Sequence, residues 1–191
     1  MNKLNNIWAK ILNNGVHDGL DFDQVMRLRI SNAISMVGSF FAFIYCIYLA
    51  LNYQYRLAFN DILFITNLML LYLLNYLGYN KTGTILTIIS VPLMLLYVNY
   101  EYGKISTDYF FYSCIVLGFY FFKKRINQIF ISVYFIALIF LTKYLEIIIV
   151  PKEFALDIAP YVYISNTIMS LSLLFLSIWL FITEHNNYRT E

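Results

Sequence analysis

Six long apolar runs account for most of this 191-residue chain. They cover residues 30–53, 57–79, 82–100, 105–122, 128–150 and 160–183. A helix needs about 20 mostly apolar residues to cross the hydrocarbon core of a bilayer, with a range of about 17–25, and every run meets that requirement. The hydrophobic fraction of 61% is also well above the roughly 45–50% of soluble domains. The sequence therefore predicts an all-α fold, a polytopic membrane bundle of six transmembrane helices.

The basic residues fall mainly in alternate connections between these runs. The N-terminal arm, the turn at 80–81, the connection 123–127 and the C-terminal tail together hold Lys3, Lys10, Arg27, Arg29, Lys81, Lys123, Lys124, Arg125 and Arg189. The other connections hold Arg56, Lys104 and Lys152. Because lysine and arginine near span ends stay on the cytoplasmic side, this distribution predicts six crossings with both termini in the cytoplasm.

The run 105–122 is the weakest of the six, because Asp108 lies near its start. If this run did not cross, Lys123, Lys124 and Arg125 would move to the side that holds few positive charges. The charge pattern therefore predicts that it does cross.

The chain divides by composition into an arm, a bundle and a tail, at residues 1–29, 30–183 and 184–191. Five apolar residues of the arm have the spacing of a single helix face, and they are Leu4, Ile7, Trp8, Ile11 and Leu12. Such a helix, with a tryptophan next to the membrane, usually lies in the headgroup plane. We therefore predict a short amphipathic helix on the cytoplasmic surface, as an anchor or as a signalling element.

A second helix is predicted to begin in the arm. Asp21 and Gln24 have the spacing of a capping box, in which the first residue caps the helix and the other reaches back to it. From there a helix can run through Arg27 and Arg29 into the first span without a break.

The fifth run contains a lysine and a glutamate, Lys143 and Glu146, three residues apart. This spacing puts them on one helical face, where their charges can neutralise each other. At about 1.5 Å per residue from Gln128, the pair lies in the outer half of the membrane. Charged side chains inside spans are costly, so one interpretation is a pocket for a polar ligand or an ion. The other is an interfacial pair that reaches towards the headgroups.

Further polar and aromatic residues are predicted at the same depth as this pair. Together with it, the candidate ligand-binding residues are Glu101, Asp108, Tyr109, Tyr112, Lys143, Glu146, Tyr163 and Asn166. In one bundle they would line an aromatic, weakly acidic vestibule open to the outside, and ligand sites favour such a mixture of apolar walls and few polar groups. Tyrosine is also common at any membrane interface.

Asparagine residues occur deeper in the runs, at Asn32, Asn67 and Asn75. Inside membranes such side chains usually form hydrogen bonds between helices, and we predict this role for them. Small residues in the runs permit close helix approach, and they include Gly38, Gly83 and Gly118.

The sequence lacks the motifs of the common catalytic and cofactor sites. His17 and His185 both fall in predicted cytoplasmic segments, which excludes a haem held between two membrane histidines. There is no His-Glu-x-x-His motif and no P-loop, and Cys46 and Cys114 lie in apolar runs, where packing is the usual role. The net charge is only +2. We therefore expect no enzyme activity, no metal or other cofactor and no nucleic-acid partner.

The arm carries the residues of a wider resemblance, in Trp8, Gly15-Val16, Asp18, Leu20 and the stretch Arg27-Leu28-Arg29-Ile30-Ser31-Asn32. This pattern resembles the six-span input domains of Bacteroidetes sensor histidine kinases and membrane-anchored nucleotide cyclases. The resemblance implies a bacterial inner-membrane location and a sixth span that continues into a coiled coil and an output domain.

The function expected from this resemblance is that of a sensor. A small-molecule or lipid ligand would shift the sixth helix relative to the first in a homodimer, and the shift would pass to an output domain beyond Glu191. The polar tail 184–191 favours a receptor portion of a longer protein over a complete one. The alternatives are a small transporter or oligomeric pore, and an accessory subunit of a membrane complex.

Overall fold

The computed structural model describes residues 3–102, 108–122 and 124–148, together with residues 164, 167, 168, 170–172, 174, 175, 178, 179 and 182. Within these, every regular element is an α-helix. The helices are α1 (Lys3–Leu12), α2 (Phe22–Leu51), α3 (Tyr55–Tyr76), α4 (Asn80–Tyr102), α5 (Asp108–Phe121) and α6 (Arg125–Ile148). The predicted all-α class is confirmed for this part of the chain.

Four of these helices are long and apolar enough to cross a membrane, and they are Phe22–Leu51, Tyr55–Tyr76, Asn80–Tyr100 and Arg125–Ile148. They indicate a multi-pass membrane protein. The fourth predicted span corresponds to α5, whose 14 described residues extend about 21 Å at 1.5 Å per residue. The run 160–183 lies largely outside the described residues. Six crossings, and the division into arm, bundle and tail, therefore stay predictions.

The start of α2 has the predicted cap. Asp21 accepts a hydrogen bond from the backbone N–H of Gln24 at 2.8 Å, and the Gln24 side chain accepts one from the backbone N–H of Asp21 at 2.9 Å. From this capping box α2 continues for 30 residues to Leu51, about 45 Å of helix. The prediction that one helix runs from the arm through Arg27 and Arg29 into the first span is confirmed.

The chain forms two compact units, one of residues Met1–Ile89 and Leu176–Glu191 and the other of Ser90–Phe175. In the first unit α2 and α3 pack side by side as an antiparallel pair. The Cys46 thiol near the end of α2 donates to the backbone carbonyl of Ala58 near the start of α3, at 3.4 Å. At the other end, Asn75 of α3 donates to Ser31 of α2 at 2.9 Å. Short predicted connections therefore do join antiparallel neighbours here.

The surface of this helix pair is strongly apolar on its outer side. Large exposed side chains on α2 include Phe40, Phe43, Ile44, Ile47 and Leu51. Soluble proteins rarely expose contiguous apolar area of this kind, whereas a lipid-facing helix needs it.

In the second unit α5 packs against α6. Phe111 and Phe135 are both fully buried, and their ring centroids lie 6.3 Å apart. Nearer the other end of α5, a Cβ added at Gly118 would lie 2.6 Å from Cγ2 of Ile131. The predicted role of Gly118 in close helix approach is therefore confirmed. The Ser113 hydroxyl of α5 is buried and lies 3.1 Å from the hydroxyl of Ser170.

Candidate functional site

Among the described residues, a cluster of hydrogen bonds lies where the N-terminal arm meets α2 and α3. Asn32 of α2 and Asn75 of α3 are almost completely buried, with 0% and 1% of their surface exposed. The amide nitrogen Nδ2 of Asn75 donates to Ser31 Oγ at 2.9 Å and to Asn32 Oδ1 at 3.0 Å. The prediction that buried asparagines bond between helices is confirmed for Asn32 and Asn75.

The same two helices hold the loop that follows α1. Asn32 Nδ2 donates to the backbone carbonyls of Leu12 at 3.0 Å and of Asn14 at 2.8 Å. The Asn14 side chain in turn donates to the carbonyl of Tyr72 on α3, at 2.9 Å. The end of α1 is thus bonded to α2, and the loop after it to α2 and α3. Because carbonyls at a helix end have no partner within the helix, Asn32 supplies one for Leu12.

Gly15 makes the closest approach in this region. Its φ is +78°, which glycine adopts without strain, and its α-carbon lies against the backbone carbonyl of Asn75. A Cβ at this position would overlap the Asn75 oxygen. Only glycine therefore allows the loop to lie this close to α3.

We call this cluster the arm junction, and define it as Asn13, Asn14, Gly15, Arg29, Ser31, Asn32, Tyr72 and Asn75. Asn13 belongs to it because its side chain accepts a hydrogen bond from Arg29 Nε at 2.9 Å. Several of these residues belong to the sequence pattern noted in the arm, namely Gly15, Arg29, Ser31 and Asn32. In this structure that pattern holds the arm against two apolar helices.

The predicted ligand-binding pair lies near the end of α6. Lys143 Nζ donates to Glu146 Oε2 at 3.1 Å, which confirms that the two side chains share one helical face. The Lys143 side chain is 46% exposed and that of Glu146 only 8%. The pair is therefore asymmetric, with the ammonium at the surface and the carboxylate inside.

The other six predicted residues are not brought into a site by the described part of the chain. Tyr112 is exposed on α5. Glu101, Asp108 and Tyr109 belong to helices, but the structure does not describe their side chains. Tyr163 and Asn166 lie outside the described residues. The vestibule therefore stays a prediction.

The buried face of α6 carries two oxygen atoms that lack hydrogen bonds. Thr142 is fully buried, and its Oγ1 has no hydrogen-bond partner among the described residues. One turn further on, the inner carboxylate oxygen of Glu146, Oε1, is also without one. Unpaired buried oxygens are rare in folded proteins. The end of α6 that we predict to face outside therefore has a buried polar face whose hydrogen bonds are incomplete among the described residues.

A carboxylate inside α3, that of Asp61, was not among the predicted site residues. Asp61 lies six residues after Tyr55, the first residue of α3, hence about 9 Å along the helix. Its Oδ2 is buried and has no hydrogen-bond partner in the described part of the chain. The signal was available, because an acidic residue inside the run 57–79 marks a functional position by default.

Neither metal-binding nor disulfide chemistry is assembled in the described ranges. No group of three or more His, Cys, Asp or Glu residues there could hold a metal ion. Cys46 and Cys114 are both free thiols, in separate helices.

Comparisons with known proteins return no relative. No family model matches the chain, and neither a curated protein nor a solved structure matches it. The resemblance to sensor input domains therefore stays a hypothesis that rests on residues 8–32 and on the predicted topology.

Proposed function

We propose that this chain is a six-span sensory module of a bacterial inner membrane, with both termini in the cytoplasm. A ligand or a change in the membrane would displace the membrane helices, and the sixth helix would relay that displacement to an output domain after Glu191. The four apolar helices and the distribution of basic residues support the location and the topology.

The arm junction is the observation that carries this proposal. A sensor must couple a membrane-embedded element to a cytoplasmic one, and α2 passes from its cap at Asp21 into the apolar region without a break. Asn32 and Asn75 bond the arm and the two helices into one cluster. Any sliding of α2 against α3 would therefore disturb the contacts of the arm.

The grouping of the end of the sixth predicted span with the first helices supports a relay of displacement through the sixth helix. Ile178, Trp179 and Ile182 belong to the same compact unit as α1, α2 and α3. A displacement of α2 and α3 can thus reach the C-terminal helix within one unit. In the proposed homodimer, the N- and C-terminal helices of the two protomers would pair and pass this displacement on.

A reporter fusion tests the proposal without knowledge of the ligand. A dimerisation-dependent reporter is fused after Glu191 through a continuous helix, and one to four residues are inserted to rotate its helical phase. We expect reporter activity to depend on that phase. We also expect Gly15→Val, which would push the loop away from Asn75, to change it.

The matched control is Gly78→Ala. Gly78 also has a positive φ, of +81°, but a Cβ there would meet no atom within 4 Å. This variant should leave the reporter activity unchanged. Reporter activity that is indifferent to both the helical phase and Gly15→Val would contradict the proposal.

A small transporter is the second candidate, and Asp61 favours it. Carboxylates inside spans are typical of ion and proton pathways, and Asp61 lies inside α3. Flux measured in proteoliposomes decides the matter. Uptake that requires the protein and is lost in Asp61→Asn would favour transport over sensing, whereas no protein-dependent flux would remove this candidate.

A further inference from the structure

We propose that Asp61 is a proton-binding site in the membrane, and that the packed α2–α3 pair contains its neutral, protonated form. The proton adds to a carboxylate oxygen of Asp61 and is released again as a hydrated proton. This site goes beyond the proposed function, and neither the arm junction nor the Lys143–Glu146 pair includes it.

Asp61 has no ion-pair partner in the part of the chain that the structure describes. Two ion pairs of the described residues join Arg27 to Asp23 and Lys143 to Glu146, and neither includes Asp61. Its Oδ2 is buried and accepts no hydrogen bond there. Burial of an ionised carboxylate without a partner in an apolar medium costs a large free energy. Burial of the protonated acid costs much less.

Asp61 lies at the end of the helix pair where α2 ends and α3 begins. From α2, the titratable residues at this end of the helix pair are Tyr45, Cys46 and Tyr48. The Cys46 thiol donates to the carbonyl of Ala58, one turn before Asp61. The part of α4 in this unit carries a single charge, Lys81, at its first turn beside the opposite end of α3. On α3 itself, Arg56 lies five residues earlier, near the helix start.

Asp61 is connected to the arm junction through α3 itself. Asp61 and Asn75 are 14 residues apart on α3, about 21 Å along one rigid helix. Ionisation would require water or a cation at Asp61, and hence a separation of α2 and α3 at that end. If the proposed sensory function holds, the proton is then an input whose effect reaches the arm junction through α3.

Infrared spectroscopy of the full chain in nanodiscs tests the site directly. At about pH 7 an aspartate in water is ionised, since its pKa is about 3.9. We expect a protonated-carboxyl band at that pH, shifted in heavy water and lost in Asp61→Asn. The band should weaken as the pH rises. Glu146→Gln is the matched control, because Glu146 is paired with Lys143, and it should retain the band.

A second measurement uses the unsubstituted chain and does not depend on the folding of a variant. A hydrophobic carbodiimide adds a protonated carboxyl across one of its C=N bonds, and the adduct rearranges to a stable N-acylurea without a leaving group. We expect mass spectrometry to locate this label at Asp61, with less label at higher pH.

Three outcomes would overturn the proposal. The first is the absence of the infrared band at about pH 7 in the folded chain. The second is a band that persists in Asp61→Asn. The third is suppression of the carbodiimide label by sodium but not by choline at constant pH, which would assign the site to a metal cation. Because these readouts do not involve the reporter, they can fail while the sensory proposal stands.

Discussion

Asn75 donates a hydrogen bond to Asn32 across the α2–α3 interface, at 3.0 Å and over 43 positions of sequence. Both side chains are buried, so removal of one leaves polar atoms of the other without a partner. Hydrogen bonds between membrane helices are worth about 0.6–2 kcal/mol each. The bond between Asn75 and Asn32 also affects the arm, because Asn32 donates to the backbone carbonyls of Leu12 and Asn14.

Asn75→Leu is therefore expected to destabilise the protein by about 1–3 kcal/mol. The loss should appear in the unfolding free energy measured in detergent or bilayers. Thr66→Val on the same helix is the control, because the exposed Thr66 hydroxyl bonds only to the carbonyl of Ile62 one turn away. Equal losses of unfolding free energy in the two variants would show that the hydrogen bond between the helices adds no stability beyond that of a bond within one helix.

Gly15→Ala should destabilise the arm far more than Gly78→Ala does. Both glycines have a positive φ, so each alanine costs about 1–2 kcal/mol of backbone strain. Only at Gly15 does the new methyl group also meet the carbonyl of Asn75. Limited proteolysis of the arm measures the difference, and equal protection in the two variants would mean that the arm is not packed as described.

Gly118→Ala is expected to loosen the packing of α5 on α6, because its Cβ would meet Ile131 at 2.6 Å. Overpacking of this kind costs about 1–3 kcal/mol. Ile131→Ala removes the opposing Cγ2, so the double variant should recover part of what Gly118→Ala loses. A double-mutant cycle of unfolding free energies checks this, and strict additivity would count against the contact.

Thr142→Val should leave the stability unchanged or raise it. The buried Thr142 hydroxyl has no partner among the described residues, and a valine of the same shape removes that penalty. Ser113→Ala is the comparison, because the Ser113 hydroxyl lies 3.1 Å from that of Ser170 and its loss should destabilise. A clear loss of thermal stability in Thr142→Val would show that the hydroxyl is bonded.

Replacement of both Lys143 and Glu146 by leucine should leave expression of the protein intact. It should abolish the response of the fused reporter to a ligand of the sensory module. Lys143→Leu alone should destabilise the protein more than the double replacement does, because it leaves the carboxylate of Glu146 buried without a cation. Reporter response and thermal unfolding are measured on the same variants. An undiminished response in the double variant would remove this pair from the predicted ligand site.

The helices were predictable because their signals are local. Apolar length marks each span, and the Asp21–Gln24 spacing marks the start of α2, which has the predicted capping box. The arm junction was only partly predictable. Buried asparagines indicated bonds between helices, but the partner of Asn75 depends on how far α2 slides along α3, and sequence does not specify that register.

Asp61 was missed for a different reason. A single carboxylate in an otherwise apolar run has no spacing pattern that indicates its partner or its environment. The Lys143–Glu146 pair was found because three-residue spacing on a helix guarantees proximity. The vestibule around it depends on contacts between distant segments, which no local pattern predicts.

The distance between the arm and α3 in a membrane tests the central claim most directly. With Cys46 and Cys114 replaced by alanine, spin labels are placed at the exposed positions Asn5 on α1 and Tyr76 on α3, and pulsed electron resonance is recorded in nanodiscs. We predict one narrow distance distribution that broadens in Gly15→Val. A broad distribution without that substitution would contradict the account, because the arm would then not be held against α3.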